Sequence, residues 1–154
     1  MTANMRNPSK SSAVNKEFFD RVKPIMESWG LSKHPNPTSY FGRSSHGFRY
    51  DFADLSNNND IKIAAFYILD RSGPSLWIKG LRLNRGLHDS ADLPIIFDSL
   101  DGVFTLERKW SILRPLNVRF EFYKKGNDSN ESAASRIMDV VVSEIPKLRN
   151  YLYG

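Results

Sequence analysis

Three strand-like segments follow one another between residues 48 and 84, and they constrain the fold more than any other feature of the chain. The first, FRYDFADL, alternates strictly between an aromatic set and a mixed set of side chains, Phe48, Tyr50 and Phe52 against Arg49, Asp51 and Ala53. The second, DIKIAAFYILD, is apolar on both faces after its first residues, as in a central strand, and SLWIKGLRLN is the third. The short polar connections SNNN and RSGP join antiparallel neighbours, so the pattern predicts an antiparallel meander.

A helical pattern precedes the meander. Asn15 is a candidate cap for a helix over residues 16–29, and Gly30 is its stop signal. The apolar stripe of this helix recurs at helical spacing, at Phe18, Val22, Ile25 and Trp29. Pro24 lies inside it and predicts a kink or an early end. Residues 32–47 then form a predicted loop, in which His34 is expected to be solvated.

The C-terminal part of the chain ends in a second, longer helical pattern. Asp128 and Glu131 have capping-box-like spacing at its head, and Pro146 predicts a kink within it. Its apolar stripe is Ala134, Ile137, Met138, Val141, Ile145, Leu148 and Leu152. We therefore expect both terminal helices to bury one face.

Three shorter segments lie between the meander and this last helix. HDSADLPIIFDSLDG predicts a short helix, VFTLERKWSIL is ambiguous as a strand, and NVRFEFYKK predicts a strand with Val118, Phe120 and Phe122 inward. The predicted order is α-β-β-β-α-β-(β)-α. It describes an α+β fold in which N- and C-terminal helices pack on a mostly antiparallel sheet of four or five strands.

Composition limits the class of protein. With 154 residues, 40% of them hydrophobic, the chain can bury the core of one domain, which we place at residues 13–154 behind a flexible tail over 1–12. The absence of cysteine excludes disulfides, thiolate metal sites and thiol nucleophiles. No signal-peptide pattern opens the chain, and its longest apolar run, Ile63–Leu69, is far shorter than the roughly 20 residues that span a bilayer. The sequence thus predicts a cytoplasmic protein with no membrane partner.

An excess of basic residues indicates an anionic partner, either nucleic acid or an acidic protein. Lys and Arg number 22 against 17 Asp and Glu, which gives a net charge of +5. In the last predicted strand, alternation places Arg119, Glu121, Tyr123 and Lys125 on one exposed face. Arginine combined with aromatic rings can contact phosphates and stack on bases, but the same residue types favour protein interfaces. The candidate binding residues are Arg82, Arg85, Arg108, Lys109, Arg114, Arg119, Tyr123 and Lys125.

An acid and a lysine two positions apart, Asp60 and Lys62, stand at the start of the second strand. If the first hairpin closes with a four-residue loop, Ala53 lies opposite Lys62 and Asp51 opposite Ala64. Arg49, Asp51, Asp60 and Lys62 then share one face of the sheet. The interpretation that we favour is an exposed cross-strand ion pair, with no catalytic residue and no cofactor.

The same arrangement resembles the core of the PD-(D/E)XK nucleases, as does the order of one helix, three strands, a helix and a strand. The resemblance implies that Asp51 and Asp60 hold a divalent cation, Mg or Mn, and that Lys62 acts as the catalytic lysine. The chain departs from that family because no proline precedes Asp51. The resemblance nevertheless makes a small metal-dependent nuclease the alternative function.

A second resemblance covers nearly the whole chain. EFFDRVKPIMESWGL, GFRYDF, LPIIFDSLDG, Leu106 with Trp110, FEFYKKGND and the closing helix resemble a domain family of unknown function that is attached to restriction-type nucleases and methylases. This resemblance implies a nucleic-acid or genome-defence setting. Our first hypothesis is a non-catalytic module that binds nucleic acid or a nucleic-acid-handling protein, in bacterial defence or phage counter-defence. A pure protein-interaction or inhibitor domain remains a further alternative.

Overall fold

The N-terminal helical region begins earlier than its sequence pattern predicts. The computed structural model describes residues 8–70, 73–83, 103–108 and 119–154. In it, helix α1 spans Lys10–Glu17, and Ser9 caps it by accepting a hydrogen bond from the Ser12 amide at 3.2 Å. Asn15, the predicted cap, instead lies inside α1 and accepts a hydrogen bond from the Tyr50 hydroxyl. The last three residues assigned to the tail therefore belong to the first turn of α1.

Pro24 neither breaks nor ends this helical region. A π-helical turn spans Phe18–Val22, and helix α2 follows it over Lys23–Ser28. The Lys23 amide donates to the carbonyl of Phe18, five residues back. This π-helical hydrogen-bond pattern places Pro24 in the first turn of α2, where a missing N–H costs no intrahelical hydrogen bond.

An antiparallel sheet forms the second layer. Its strands are β1 Ser32–Lys33, β2 Phe41–Ser44, β3 Gly47–Asp54, β4 Ile61–Leu69, β5 Ser75–Leu83, β6 Phe104–Leu106 and β7 Phe120–Glu121. Among the residues described, all seven strands belong to one sheet. Five of them follow the order β1-β3-β4-β5-β6, β2 pairs with β3, and β7 pairs with β5. The C-terminal helix α3, Asn130–Tyr153, runs without interruption through Pro146. The predicted α+β class, with terminal helices and an antiparallel sheet, is confirmed.

The two faces of the sheet differ, and we call them the helix face and the second face. The helix face packs on α1 and α3 and forms the main core, with Tyr50, Phe52, Phe66, Ile68 and Ile78 among its buried residues. At Gly80 an added Cβ would come within 2.8 Å of Leu148 and 3.2 Å of Tyr151, so glycine permits the close approach of α3. The second face carries a smaller apolar cluster, Ala53, Ile61, Ile63, Ala65, Leu81 and Leu83.

The segment predicted as one long loop contributes two short strands. β1 and β2 both pair with β3, and the chain leaves the sheet between them over residues 34–40. Both ends of this excursion lie opposite Asp51, whose carbonyl accepts from the His34 amide and whose amide donates to the Tyr40 carbonyl, each at 2.9 Å. The two strands therefore behave as one edge strand with an inserted loop, and His34 is buried in it rather than solvated.

The observed pairing of β3 with β4 differs by one residue from the predicted register, in which Ala53 lay opposite Lys62. Asp54 lies opposite Lys62, and Asp51 lies opposite Ala65. The connection is closed by its own side chains: Asp54 accepts from the amide and hydroxyl of Ser56, and Asn57 accepts from the amide of Asn59. Because neighbouring residues of a strand face opposite ways, this shift moves Asp51 to the second face and leaves Lys62 on the helix face.

The remaining predictions fall at the C-terminal side of the meander. The helix expected over 88–102 lies outside the described residues, as does Val118. The ambiguous segment contains β6, and in the described part of the last predicted strand, residues 119–125, the strand spans Phe120–Glu121. Phe120 and Phe122 are buried as expected. Within the part of the chain that the structure describes, no helix has the length and apolar character needed to cross a bilayer.

Candidate functional site

Four side chains form a row across the second face, perpendicular to the strands. Arg49 of β3 lies opposite Tyr67 of β4, which lies opposite Trp77 of β5. Arg119 precedes β7 and continues the same register, since Phe120 is paired with Leu76. We call these four residues the cross-strand row. Cross-strand neighbours lie about 5 Å apart, so the four side chains are in mutual reach.

Two cations flank the two aromatic rings of this row. The Arg49 guanidinium lies 4.8 Å from the Tyr67 ring centroid, and the Arg119 guanidinium lies 4.0 Å from that of Trp77. Lys79, the next residue of β5 on this face, places its Nζ 5.8 Å from Tyr67 and 6.0 Å from Trp77. These separations are within the range of cation–π attraction. The row is thus a continuous line of cationic and aromatic side chains in contact with one another.

The row is accessible mainly at its Arg119 end, because the Arg49 side chain is only 16% exposed and the Tyr67 Oη and Trp77 Nε1 atoms are buried. Tyr67, Trp77 and Lys79 are half-buried, whereas Arg119 is exposed. Tyr40 extends the row beyond Arg49, whose guanidinium lies 4.9 Å from its ring, and is 45% exposed. Side chains that are already packed lose little conformational entropy when a ligand binds.

Asp51, two residues from Arg49 and on the same face of β3, fixes one end of the row. Its carboxylate is 2% exposed, accepts from Arg49 Nε at 3.0 Å and accepts from the Tyr40 amide at 3.0 Å. Asp51 therefore neutralises Arg49 and holds the inserted loop that carries Tyr40. A buried acid with these partners is a positioning group, since its oxygens are already engaged.

His34 completes this buried polar region. Its side chain is 2% exposed, and its Nδ1 accepts a hydrogen bond from the Asn36 amide at 3.0 Å. This acceptor role leaves the proton of a neutral imidazole on Nε2, which is buried without a hydrogen-bond partner among the residues described. Burial lowers the pKa of His34, and the negative charge of Asp51 opposes that effect.

A second polar cluster lies on the helix face, where β3, β4 and β5 meet the end of α3. Asp60 accepts a bidentate pair from Arg82, at 2.9 and 2.7 Å, and its Oδ2 is 3.3 Å from Lys62 Nζ. The Tyr153 hydroxyl donates to Asp54 at 2.8 Å, and Lys62 Nζ lies 4.9 Å from the Tyr153 ring centroid. The favoured ion pair between Asp60 and Lys62 is present, although Lys62 is only 11% exposed.

The pKa values of this corner follow from its hydrogen bonds. The hydrogen bond from Arg82 lowers the pKa of Asp60, with Lys62 acting in the same direction. Burial works to raise the pKa of Asp54, but the hydrogen bonds from Ser56 and Tyr153 and the charge of Lys62 lower it overall. Burial and the bond to Asp54 raise the pKa of Tyr153 well above its usual range. Both carboxylates are therefore ionised and already bonded at neutral pH.

The register separates the residues of the nuclease alternative. Asp51 lies opposite Ala65. Ile61, which follows Asp60 in the chain, is four residues from Ala65 along β4, a separation of about 13 Å. Asp51 and Asp60 thus do not converge on one point, and the acid that joins Asp60 and Lys62 is Asp54. No group of three or more His, Asp or Glu side chains arranged to hold a metal ion occurs in the described ranges.

The predicted basic residues are distributed over several surfaces. Arg119 belongs to the cross-strand row, whereas Arg82 lies on the helix face in the pair with Asp60. Tyr123 lies near Arg136 of α3, 5.3 Å from guanidinium to ring centroid, so it does not share a face with Arg119. Lys125 is 5.7 Å from the Tyr123 ring. Arg108 follows β6 and is half-buried, and Arg85, Lys109 and Arg114 lie outside the described residues.

The sequence interpretation missed three of the four residues of the row as binding residues, Arg49, Tyr67 and Trp77, and also their neighbours Tyr40 and Lys79. A signal existed in the parity of the strands, because Tyr67, Trp77 and Lys79 alternate with the apolar residues of the helix face. Only the register could show that they align with Arg49 and Arg119.

A surface groove of about 490 Å³ lies along the C-terminal turns of α3. Its described lining residues come from this helix and its C-terminal cap, Gly154, and include the exposed cations Lys147 and Arg149. The groove offers a second basic surface, far from the aromatic rings of the cross-strand row.

No protein-family model, curated protein or solved structure matches the chain.

Proposed function

We propose that the protein is a non-catalytic module that binds nucleic acid through the second face of its sheet. The observation that carries the proposal is the cross-strand row, in which Arg49 and Arg119 flank Tyr67 and Trp77 in one line. Phosphates are bound by guanidinium and ammonium groups, and bases stack on aromatic and guanidinium planes. Arg119, at one end of the row, offers a guanidinium, and Tyr40, next to Arg49 at the other end, offers an exposed ring.

The charge of the surface supports the same ligand. Among the described residues, Arg49, Lys79 and Arg119 place cationic side chains on this face, together with the acids Asp51, which is bonded to Arg49, and Glu121. The whole chain carries +5, which attracts a polyanion before contact. The proposed place in bacterial defence or phage counter-defence rests on the sequence resemblance alone.

An acidic protein is the second candidate partner. Trp, Tyr and Arg, the residue types of the row, are also those that dominate the binding energy of protein interfaces. A nucleic-acid-handling protein with an acidic surface would meet the same side chains. The two candidates differ in whether isolated nucleic acid binds at all.

The proposal is tested by the double substitution Lys79→Ala and Arg119→Ala, measured by fluorescence anisotropy with labelled nucleic acids. Its control is Lys147→Ala with Arg149→Ala, which removes the same two charges from the groove on α3. We expect the first variant to weaken binding by about tenfold or more and to reduce the salt dependence of log Kd by about 1 to 2. The control should change the affinity by less than about twofold.

Two outcomes contradict the proposal. Equal weakening by both double variants would mean that net charge alone governs binding. Absence of binding by the wild-type protein to any nucleic acid at low salt would favour the acidic protein partner.

A further inference from the structure

We infer that one edge of the sheet binds an extended acidic segment of a partner protein, which pairs with it as an added β-strand. This edge is the side of β1 and β2 that points away from β3, and we call it the outer edge. The inference goes beyond the proposed function and is independent of it, because it depends on no residue of the cross-strand row.

The hydrogen-bond pattern shows which backbone groups of β2 point outward. The Asp51 amide donates to the Tyr40 carbonyl at 2.9 Å, so these two residues form a hydrogen-bonded pair between the strands. In an antiparallel ladder such pairs alternate with pairs whose N–H and C=O groups point away from the partner strand. Gly42 therefore faces β3, whereas Phe41 and Arg43 direct their N–H and C=O groups outward.

β1 continues the same edge. The His34 amide donates to the Asp51 carbonyl at 2.9 Å, so His34 faces β3 and the preceding residue, Lys33, faces outward. The loop between the two strands is anchored on the second face, where the Tyr40 amide donates to the Asp51 carboxylate. Within the described ranges, no strand pairs with the outer edge. Unpaired backbone groups of this kind are the template on which an extended peptide adds as a strand.

The side chains of Lys33, Phe41 and Arg43 give the outer edge a cation–aromatic–cation pattern. They lie opposite aromatic residues of β3, so all three are on the helix face. Lys33 is exposed, with its Nζ 5.9 Å from the Phe41 ring centroid. The Arg43 side chain is 66% exposed, and its guanidinium lies 5.3 Å from the Phe48 ring centroid. Both cations thus border a half-buried ring and remain in contact with solvent.

This pattern is complementary to an acidic strand. Every second residue of an added strand shares the helix face with Lys33, Phe41 and Arg43. Carboxylates opposite the two cations form cross-strand ion pairs, and an apolar side chain between them covers Phe41. The acid nearest to Arg43 among the described ion pairs, Asp70, is 3.7 Å away, which is too far for a hydrogen bond, so the guanidinium can bond to a partner carboxylate.

Amide hydrogen exchange followed by NMR tests the geometry. In the free protein we expect the Phe41 and Arg43 amides to exchange about tenfold or more faster than the Gly42 amide, which is bonded to β3. The probe is a terminally blocked peptide, Thr-Glu-Thr-Val-Thr-Glu-Thr, whose glutamates and valine match the three side chains of the outer edge. Its addition should slow exchange at Phe41 and Arg43 and leave Gly42 unchanged.

Charge reversal tests the chemistry. Arg43→Glu should weaken binding of this peptide by about tenfold or more, and a peptide with lysines in place of the glutamates should bind this variant more tightly than the wild-type protein. Lys33→Glu provides a second reversal on β1. The matched control is Lys124→Glu, since Lys124 is exposed and follows β7, four strands from β2 in the sheet. The control should change the affinity by less than about twofold.

The decisive comparison uses the acidic peptide N-methylated at its valine and glutamates, which keeps its charge and removes backbone donors. We expect this peptide not to bind. Equal binding of the methylated and unmethylated peptides would overturn strand addition, and failure of the acidic peptide to slow exchange at Phe41 and Arg43 would overturn the outer edge as a docking site. Both failures are distinguishable from failure of the proposed function, which is measured with nucleic acids and with variants of Lys79 and Arg119.

Discussion

The guanidinium of Arg119 lies over the indole of Trp77, with its central carbon 4.0 Å from the ring centroid. Because Arg119 is exposed, we expect this contact to stabilise the fold by only about 0.5 to 1 kcal/mol. Arg119→Ala should therefore lower the free energy of unfolding by no more than that in a urea titration. A loss above about 2 kcal/mol would show that Arg119 has a structural role and is unsuitable as a binding probe.

Asp51 should be far more important for stability than for binding. Asp51→Ala leaves Arg49 and the Tyr40 amide without their buried acceptor, so we expect a loss of about 3 to 5 kcal/mol in the free energy of unfolding. The matched control is Asp139→Ala, since Asp139 is 67% exposed and pairs with Arg21 on the helical side. The control should cost less than about 1 kcal/mol. Similar losses in both variants would contradict the clamping role of Asp51.

The lowered pKa of His34 leads us to expect that the protein loses stability in mild acid. Its folded pKa lies below the value of about 6.5 expected in the unfolded chain, so between the two values the unfolded state binds more protons. The contribution of neutral His34 is therefore complete above about pH 6.5 and is lost as the pH falls toward the folded pKa. Between neutral and mildly acidic pH, the melting temperature of the wild-type protein should fall more than that of His34→Gln. An identical fall in both would refute this assignment.

The ion pairs around Asp60 should not constitute a metal site. Asp60 is engaged by Arg82 and Lys62, so a divalent cation would have to displace two positive groups. We expect manganese to leave the melting temperature unchanged, and Asp60→Asn to alter the free energy of unfolding by about 1 kcal/mol or less. A manganese-dependent rise in melting temperature that Asp60→Asn abolishes would revive the nuclease alternative.

The sequence predicted the faces of the strands better than their alignment. Period-two alternation predicted that Tyr50 and Phe52 share one face of their strand, and the structure buries both in the main core. The alignment of β3 with β4 depended on how residues 55–60 close the hairpin. Asp54 and Asn57 close it with their own side chains, which the composition of a polar turn does not reveal.

Long-range contacts explain the other differences. β1 and β2 have little strand character of their own and form because the edge of β3 offers unpaired backbone groups. The seven-residue insertion opposite Asp51 is stabilised by a carboxylate distant in sequence, so local propensity could not predict it. For the same reason the cross-strand row, which depends on three registers, was inaccessible to sequence reasoning.

The central claim is that nucleic acid binds on the second face, and the indole N–H of Trp77 tests it most directly. Trp77 lies in the cross-strand row, whereas Trp29 packs against the main core on the helix face. In a heteronuclear NMR titration with a thymidine or uridine oligomer, with Trp77→Phe assigning the signal, we expect the Trp77 indole resonance to shift or broaden and that of Trp29 to stay in place. Binding that leaves the Trp77 resonance unchanged would contradict the account.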